Sequence, residues 1–338
     1  MIDRVVTHTV DALAGVPQDV RASLASMPAS RQAHDEAAAG IAALSTIELV
    51  QPAHDPPRAV GGSLRVAAWN AERLKHQRAS RRLIETVDAD VWLLTEVDIG
   101  MARSGNVHTV QASAPEGFGW ALATEFVELG LGDGRETRWH VGQINAAGLH
   151  GNAILSRRPL ADACRIALDD GAVWFTADLK EGQRRIGGRM AVAAEVGGVW
   201  CVSVHLESQS DPALRTEQIA RLLDTLHTIA ADAPVVIGGD LNTGALAPGE
   251  PVPFGRLAEI EPLFARLADA GFDIMGCNTP EPTQRQRPDG TPLPPFMRLD
   301  WLASRHLRAA DPRTVPAVDD KGAAISDHDV IVATFASV

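Results

Sequence analysis

From Ser63 onward the chain is built of short, largely apolar runs: Leu64–Trp69, Val91–Thr95, Asn152–Ser156, Val173–Leu179, Met190–Val196, Val199–Val204 and Val235–Ile237. Runs of this length, bounded by polar and turn residues and showing no polar alternation, predict strands buried on both faces. Helical spacing marks other stretches. Ala213–Ala230 repeats Leu214, Ile219, Leu222, Leu223, Leu226 and Ile229 along one face, which predicts an amphipathic helix. Ser80–Val87 reads as a second helix, and Phe254–Ala270 as helical with a break or restart at Pro262. Pro280–Pro295 reads as a proline-rich loop, followed by strands over Phe296–Ala303 and Val330–Phe335. Ile99–His150 is long and Gly-rich and predicts a helix with surface loops.

The start of the chain has a different texture. Met1–Leu49 is Ala-rich and predicts one to three short helices, with Val20, Leu24 and Met27 on one face. Gln51–Gly62, QPAHDPPRAVGG, reads as a linker. The expected organisation is a helical N-terminal extension over 1–50, a Pro/Gly linker over 51–62 and a main domain over 63–338. The first segment either packs on the main domain or forms a subunit contact, giving a homo-oligomer. Strands interrupted by a few helices favour an α/β sandwich of mixed sheets over a regular βαβ alternation.

Composition narrows the function classes. A chain of 338 residues, 45% hydrophobic, has ample material for a large core. Its net charge is −12, so its surface does not draw in a polyanion over long range, which disfavours tight duplex nucleic-acid binding. Cys164, Cys201 and Cys277 are far apart and fit neither a disulfide framework nor a zinc spacing. A reducing compartment follows. The opening MIDRVVTHTVDALAG lacks a basic then apolar signal pattern, and no stretch reaches bilayer-spanning length. The expectation is a soluble, cytoplasmic protein with no membrane span.

Candidate chemistry sits where strands end. VVIGGDLNT (Val235–Thr243) places Asp240 and Asn242 two residues apart, so an extended backbone points both to one face. Gly238 and Gly239 just before them allow close approach of backbone or ligand. Asn70, Glu96, His205 and Asp300 also follow apolar stretches, and Ser326-Asp327-His328 precedes one. A single such ending is ordinary, but a recurring set of Asn, Glu, Asp and His supplies oxygen ligands for a hard divalent cation and imidazoles that can face an oxyanion.

WNAERL (Trp69–Leu74), LLTEVD (Leu93–Asp98), GNAILSRRP (Gly151–Pro159), SVHLES (Ser203–Ser208), GGDLNT (Gly238–Thr243), LDW (Leu299–Trp301) and SDHDV (Ser326–Val330) together resemble the endonuclease/exonuclease/phosphatase superfamily. Pancreatic-type DNases, abasic-site endonucleases, neutral sphingomyelinases and inositol polyphosphate 5-phosphatases are among its members. The resemblance runs from about Ser63 to the C-terminus. It implies a four-layer α/β/β/α sandwich, two packed mixed β-sheets flanked by helices, with the site at one end of the sheets. It also implies roles. Glu96 is the principal Mg²⁺ or Mn²⁺ ligand, with Asn70 beside it and Asp327 a further carboxylate near the metal. Asp240 orients and deprotonates the attacking water, and Asn242 positions it. His205 and His328 face the phosphate, and Asp300 holds the His328 ring.

One departure stands out: the chain has no tyrosine, whereas abasic-site endonucleases use one against the phosphate. Asn152 or an arginine then takes that contact, or the substrate differs. Arg189 sits where many members place a basic residue near the phosphate. Arg103, Asn106 and His108, in the loop after Glu96, are candidates to line the substrate cleft. The implied activity is metal-dependent hydrolysis of a phosphoester, a phosphodiester before others, by in-line attack of water. Net charge favours a small phosphorylated molecule or a lipid headgroup. The alternatives are a nuclease acting on DNA or RNA, a non-catalytic binding module, and non-phosphate chemistry on the same fold.

Overall fold

The computed structural model describes residues 4–53, 62–130, 144–169, 171–177, 184–208, 210–246, 253–287 and 291–337. In chain order the strands are β1 (Val5–Val6), β2 (Thr9–Val10), β3 (Ile47–Val50), β4 (Leu64–Arg73), β5 (Val91–Ile99), β6 (Gly119–Glu128), β7 (Leu149–Ser156), β8 (Ala161–Ala167) and β9 (Arg185–Gly187). They continue with β10 (Met190–Val196), β11 (Val199–His205), β12 (Val235–Asp240), β13 (Gln284–Gln286), β14 (Pro292–Met297), β15 (Asp300–Arg305), β16 (Leu307–Val315) and β17 (Val330–Ser337). The helices are α1 (Gln18–Ala25), α2 (Arg31–Ala39), α3 (Gln77–Val87), α4 (Thr109–Ser113), α5 (Val173–Thr176), α6 (Pro212–Ile229), α7 (Phe254–Ile260) and α8 (Leu263–Asp269).

Two mixed sheets pack face to face. The first has the order β1-β8-β10-β11-β12-β15. The second runs β16-β17-β4-β5-β7-β6-β3-β2, with β9 added to β6. Apolar side chains from both inner faces, Val66, Leu93 and Ile154 from one sheet and Val192, Val236 and Leu302 from the other, form the central core. A second cluster joins the first sheet to α6, α7 and α8, and a third joins the second sheet to α2 and α3. The result is an α/β/β/α sandwich. Because the inner strands are covered on both sides, their sequences lose polar alternation.

Helix ends follow local chemistry. Asp211 caps α6, its carboxylate accepting from Leu214 N at 2.9 Å, with Pro212 in the first turn. Pro262 separates α7 from α8 as the sequence suggests.

Several expectations need correction. Ile99–His150 contains β6, a strand buried along its whole length, because a strand with both faces covered lacks a clear period. Within Val173–Leu179, residues 173–176 form the short helix α5, closed by Ala177 N donating to Val173 O at 2.9 Å; Phe175 alone points inward and Val173 is exposed. Leu179 lies outside the described residues. Pro280–Pro295 contains β13 and the start of β14, and Phe296–Ala303 is split between β14 and β15. The N-terminal stretch is helical only in part. β1 pairs with β8 in one sheet, while β3 pairs with β6 in the other. On α1 the buried side chain is Arg21, not Val20, because its guanidinium satisfies the carbonyls of Val16 and Asn145. Most of the 51–62 linker lies outside the described residues.

Candidate active site

Three strands of the second sheet, β4, β5 and β6, carry β-bulges at the same end. The ladder slips between Asn70 and Arg73 in β4, between Leu94 and Val97 in β5, and between Thr124 and Phe126 in β6. A bulge inserts an unpaired residue and re-aims its side chain. Glu96 sits within such a bulge at φ 55°, a backbone state that costs a non-glycine residue energy and is common at functional sites. Glu125 is the bulged residue of β6. The first sheet contributes a row: register pairs His205 with Asp240 and Asp240 with Asp300, so adjacent strand ends deliver all of them side by side. Gly238 lets the two sheets press together there, since a Cβ at that position would lie 2.7 Å from Leu302 and 2.8 Å from Leu93.

These ends enclose a cleft of about 170 Å³. Asp240 Oδ2 is its focus. Asn70 Nδ2 donates to it at 3.0 Å, His205 Nε2 lies 3.7 Å away and His328 Nε2 3.8 Å away. The other Asp240 oxygen accepts from the Asn242 backbone at 2.9 Å, and Asn242 Nδ2 donates to Leu206 O at 2.9 Å. His328 Nδ1 lies 2.7 Å from Asp300 Oδ2. Asn70 Nδ2 also reaches Glu96 Oε1 at 3.4 Å, and Gln284 Nε2 reaches Asp327 Oδ2 at 3.5 Å. Ser326 locks the corner: its hydroxyl donates to Asn70 O at 2.7 Å and accepts from His328 N at 3.1 Å.

Burial and neighbouring charge set the ionisation of these groups. Burial, reinforced by the charge of Asp300, pushes the Asp240 carboxyl up to about 7. Burial would also raise Glu96, but Arg73, 3.8 Å away, and the surrounding imidazoles hold it well below the usual carboxylate range. His328 goes the other way. Burial opposes its charge, yet Asp300, Asp327 and Asp240 raise it well above an ordinary imidazole. Burial and the nearby Arg189 push His205 well below.

The donor set fits a hard divalent cation. Glu96, Asp327 and Asn70 all line the cleft with oxygen-bearing side chains, and Asp300 keeps one buried carboxylate oxygen without a partner. Asp240, Asp300 and His328 also bring one ligand atom each within 4.8 Å of one another. The 2.7 Å bond between Asp300 and His328 makes that trio a hydrogen-bonded unit rather than a cage, which favours Glu96, Asn70 and Asp327 as the residues that would hold the ion.

The remaining sequence candidates divide. Arg189 and Arg103 line the cleft. Arg189 Nη1 donates to Glu125 at 2.9 Å, and Arg103 makes paired bonds of 2.9 Å to Asp98. Asn106 and His108 do not line it. Asn106 ties its loop to Ile144 and Ala146, while His108 caps α4 and contacts Glu48 at 2.8 Å. Asn152 is buried between the sheets, donating to Met190 O at 3.1 Å.

Sequence reasoning missed Glu125, Phe126, His150, Arg185 and Gln284, all of which line the cleft. Burial and nearby acidic groups, against the opposing pull of Arg189, raise Glu125 to about 7. His150 stacks on Phe126 with ring centroids 4.6 Å apart and bonds Asp98 at 2.7 Å. The one sequence signal for this second carboxylate–imidazole pair was polar residues inside apolar strands.

Solved structures share this fold. The structure resembles that of an endonuclease/exonuclease/phosphatase from Beutenbergia cavernae, with TM-score 0.53 and 18% identity over 82% of this chain and 72% of that one. It also resembles a functionally unknown conserved protein from Enterococcus faecalis, with TM-score 0.54 and 17% identity over 81% of this chain and 100% of that one. The human nocturnin catalytic domain, solved with bound sulfate, matches with TM-score 0.51 and 17% identity over 85% of this chain and 100% of the domain. No curated protein matches the chain. The profile of the Endonuclease/Exonuclease/phosphatase family covers residues 67–328, the span that holds every bulge and strand end described above, and the chain belongs to that family.

Proposed function

We propose that this phosphoester hydrolase acts on a small phosphorylated molecule or a lipid headgroup, a phosphodiester in the first instance, with Mg²⁺ or Mn²⁺ bound at Glu96, Asn70 and Asp327. The observation that carries the reading is the convergence of Asn70, His205 and His328 within 3.0–3.8 Å of one oxygen of Asp240. When bound, the cation polarises the phosphoryl group and offsets its charge. Asn70 and Asn242 hold the two Asp240 oxygens, so the carboxylate is aimed and can take the proton of an attacking water. The water oxygen forms a bond to phosphorus as the ester P–O bond breaks, and the departing alkoxide takes a proton from solvent to become the alcohol. His328, kept cationic by Asp300, and His205 face the phosphoryl oxygens and offset their growing charge. A cleft of about 170 Å³ and a net charge of −12 support a small substrate over a polynucleotide.

Hydrolysis of bis-p-nitrophenyl phosphate with added Mn²⁺ tests the assignment. Asp240→Ala and His328→Ala are each expected to lower kcat by about a hundredfold or more with circular dichroism unchanged. An Asp240→Ala protein as fast as the parent refutes it.

A further inference from the structure

The wall of the cleft formed by β6 and β7 carries two hydrogen-bond acceptors that the reaction above does not use. The first is His150. Its Nδ1 lies 2.7 Å from Asp98 Oδ1 and 3.1 Å from Arg103 Nη2. The shorter contact decides the tautomer, because a nitrogen lone pair facing a carboxylate oxygen at 2.7 Å would be repulsive. Nδ1 therefore carries the hydrogen and donates it to Asp98. Asp98 is itself fixed by paired bonds from Arg103 and one from Ser104 at 2.9 Å. Nε2 is left with its lone pair, makes no hydrogen bond among the described residues, and belongs to a ring that lines the cleft. The second acceptor is Glu125. The β6 bulge aims it into the cleft, Arg189 holds Oε1 at 2.9 Å, and Oε2 is fully buried without a partner. Register places the two side by side, since Phe126, next to Glu125, pairs with His150.

The aromatic rings beside them are already covered. His150 stacks on Phe126, the Arg185 guanidinium lies 4.2 Å from the same ring, and Trp174 meets its edge at 5.4 Å. Trp174 in turn lies under Arg189 at 5.1 Å and donates to Glu207. A nucleobase stacks on an open aromatic face, and among the described residues the Phe126 ring offers none, being covered by His150 and Arg185. The wall offers instead acceptors for a group that can donate a hydrogen bond, and a hydroxyl also accepts, so it suits Glu125 in either protonation state.

We propose that Glu125 and His150 are specificity-determining residues that bind a hydroxyl beside the scissile phosphate, and that the substrate is a phosphate ester of a polyol. Asp98 and Arg103 act through His150 as positioning residues. The inference rests on the phosphoester-hydrolase reading of the same cleft. Two diesters that release the same chromophore test it: glyceryl p-nitrophenyl phosphate and propyl p-nitrophenyl phosphate. With Mn²⁺ present, the parent protein is expected to prefer the glyceryl ester at least tenfold in kcat/KM. His150→Leu and Glu125→Leu should each collapse that ratio toward one, and His150→Gln, which keeps an acceptor, should retain part of it. Glu125→Ala, which also removes both acceptor oxygens, serves where the leucine variant fails to fold. A parent ratio near one, or a ratio unchanged in the folded variants, overturns the proposal. Hydrolysis of neither diester by the parent counts against the phosphoester-hydrolase reading instead. The ¹⁵N shift of His150 Nε2 on adding glycerol then decides this inference separately: movement supports it and no movement refutes it.

Discussion

Asp240 and Glu125 show what burial does to single residues at this site. Both carboxyls are raised to about 7 from ordinary values of 3.8 and 4.5, so the folded metal-free protein holds protons between about pH 4 and 7 that the unfolded chain has released. The stability these two carboxyls contribute therefore falls as pH rises through that window. The metal-free protein is expected to melt a few degrees lower at pH 8 than at pH 5.5, and Glu125→Gln should flatten the slope. Differential scanning calorimetry at the two pH values checks both; a melting temperature that rises toward pH 8 refutes the assignment. Added Mn²⁺ should recover stability at pH 8 by binding the folded state alone. At this scale the sequence was informative where a polar residue closed an apolar run, as at Asp240 and His205, or opened one, as at Asp300. It was silent on Glu125. In the run TEFVE its side chain looks like any polar position, and a one-residue bulge alone turns it inward. Asn106 and His108 were misjudged for the opposite reason: loop polarity resembles a binding surface, yet their side chains tie the loop together.

Elements bring a further dependence into view. β9 and the turn after it supply Arg185 and Arg189 to the cleft, and a residue from α2 holds that segment in place. His34, fully buried, accepts at Nε2 from Ala172 N at 3.1 Å and Gly187 N at 3.3 Å, while Nδ1 lies 3.0 Å from Asp35. Arg184 binds the carbonyls of Ala25 and Met27 at 2.7 and 2.8 Å. His34→Ala leaves two buried N–H groups without an acceptor and frees the strand. It is expected to raise KM severalfold while lowering kcat far less, with His34→Gln recovering much of the loss. Steady-state kinetics on the diester substrate checks this, and a fall in kcat at constant KM would contradict it. Long amphipathic α6 was legible from its helical period, and the apolar core strands from short continuous apolar runs bounded by polar and turn residues. The helix α5 was not, since its four residues span little more than one turn and long-range bonds decide their conformation.

For the molecule as a whole, the first fifty residues are structural in both sheets. β1 extends one sheet beside β8, and β3 covers β6 in the other, with Leu13, Val16, Ile41 and Leu44 buried in the core. Deleting residues 1–50 bares the edges of β6 and β8 and removes part of that core. The shortened chain is expected to aggregate and to lose its cooperative thermal transition; a soluble product with the parent's melting temperature would show that the segment is dispensable. Among the described residues no helix is long and apolar enough to cross a membrane, and Cys164, Cys201 and Cys277 are free and buried. The amino-acid sequence by itself determined the sandwich class and the set of polar residues at strand ends, because hydrophobic period and residue type are local properties. Which of those side chains face one another was decided only by tertiary structure. Bulges, strand register and the close packing of two sheets across Gly238 depend on partners distant in the chain, and no local pattern encodes where a partner will lie.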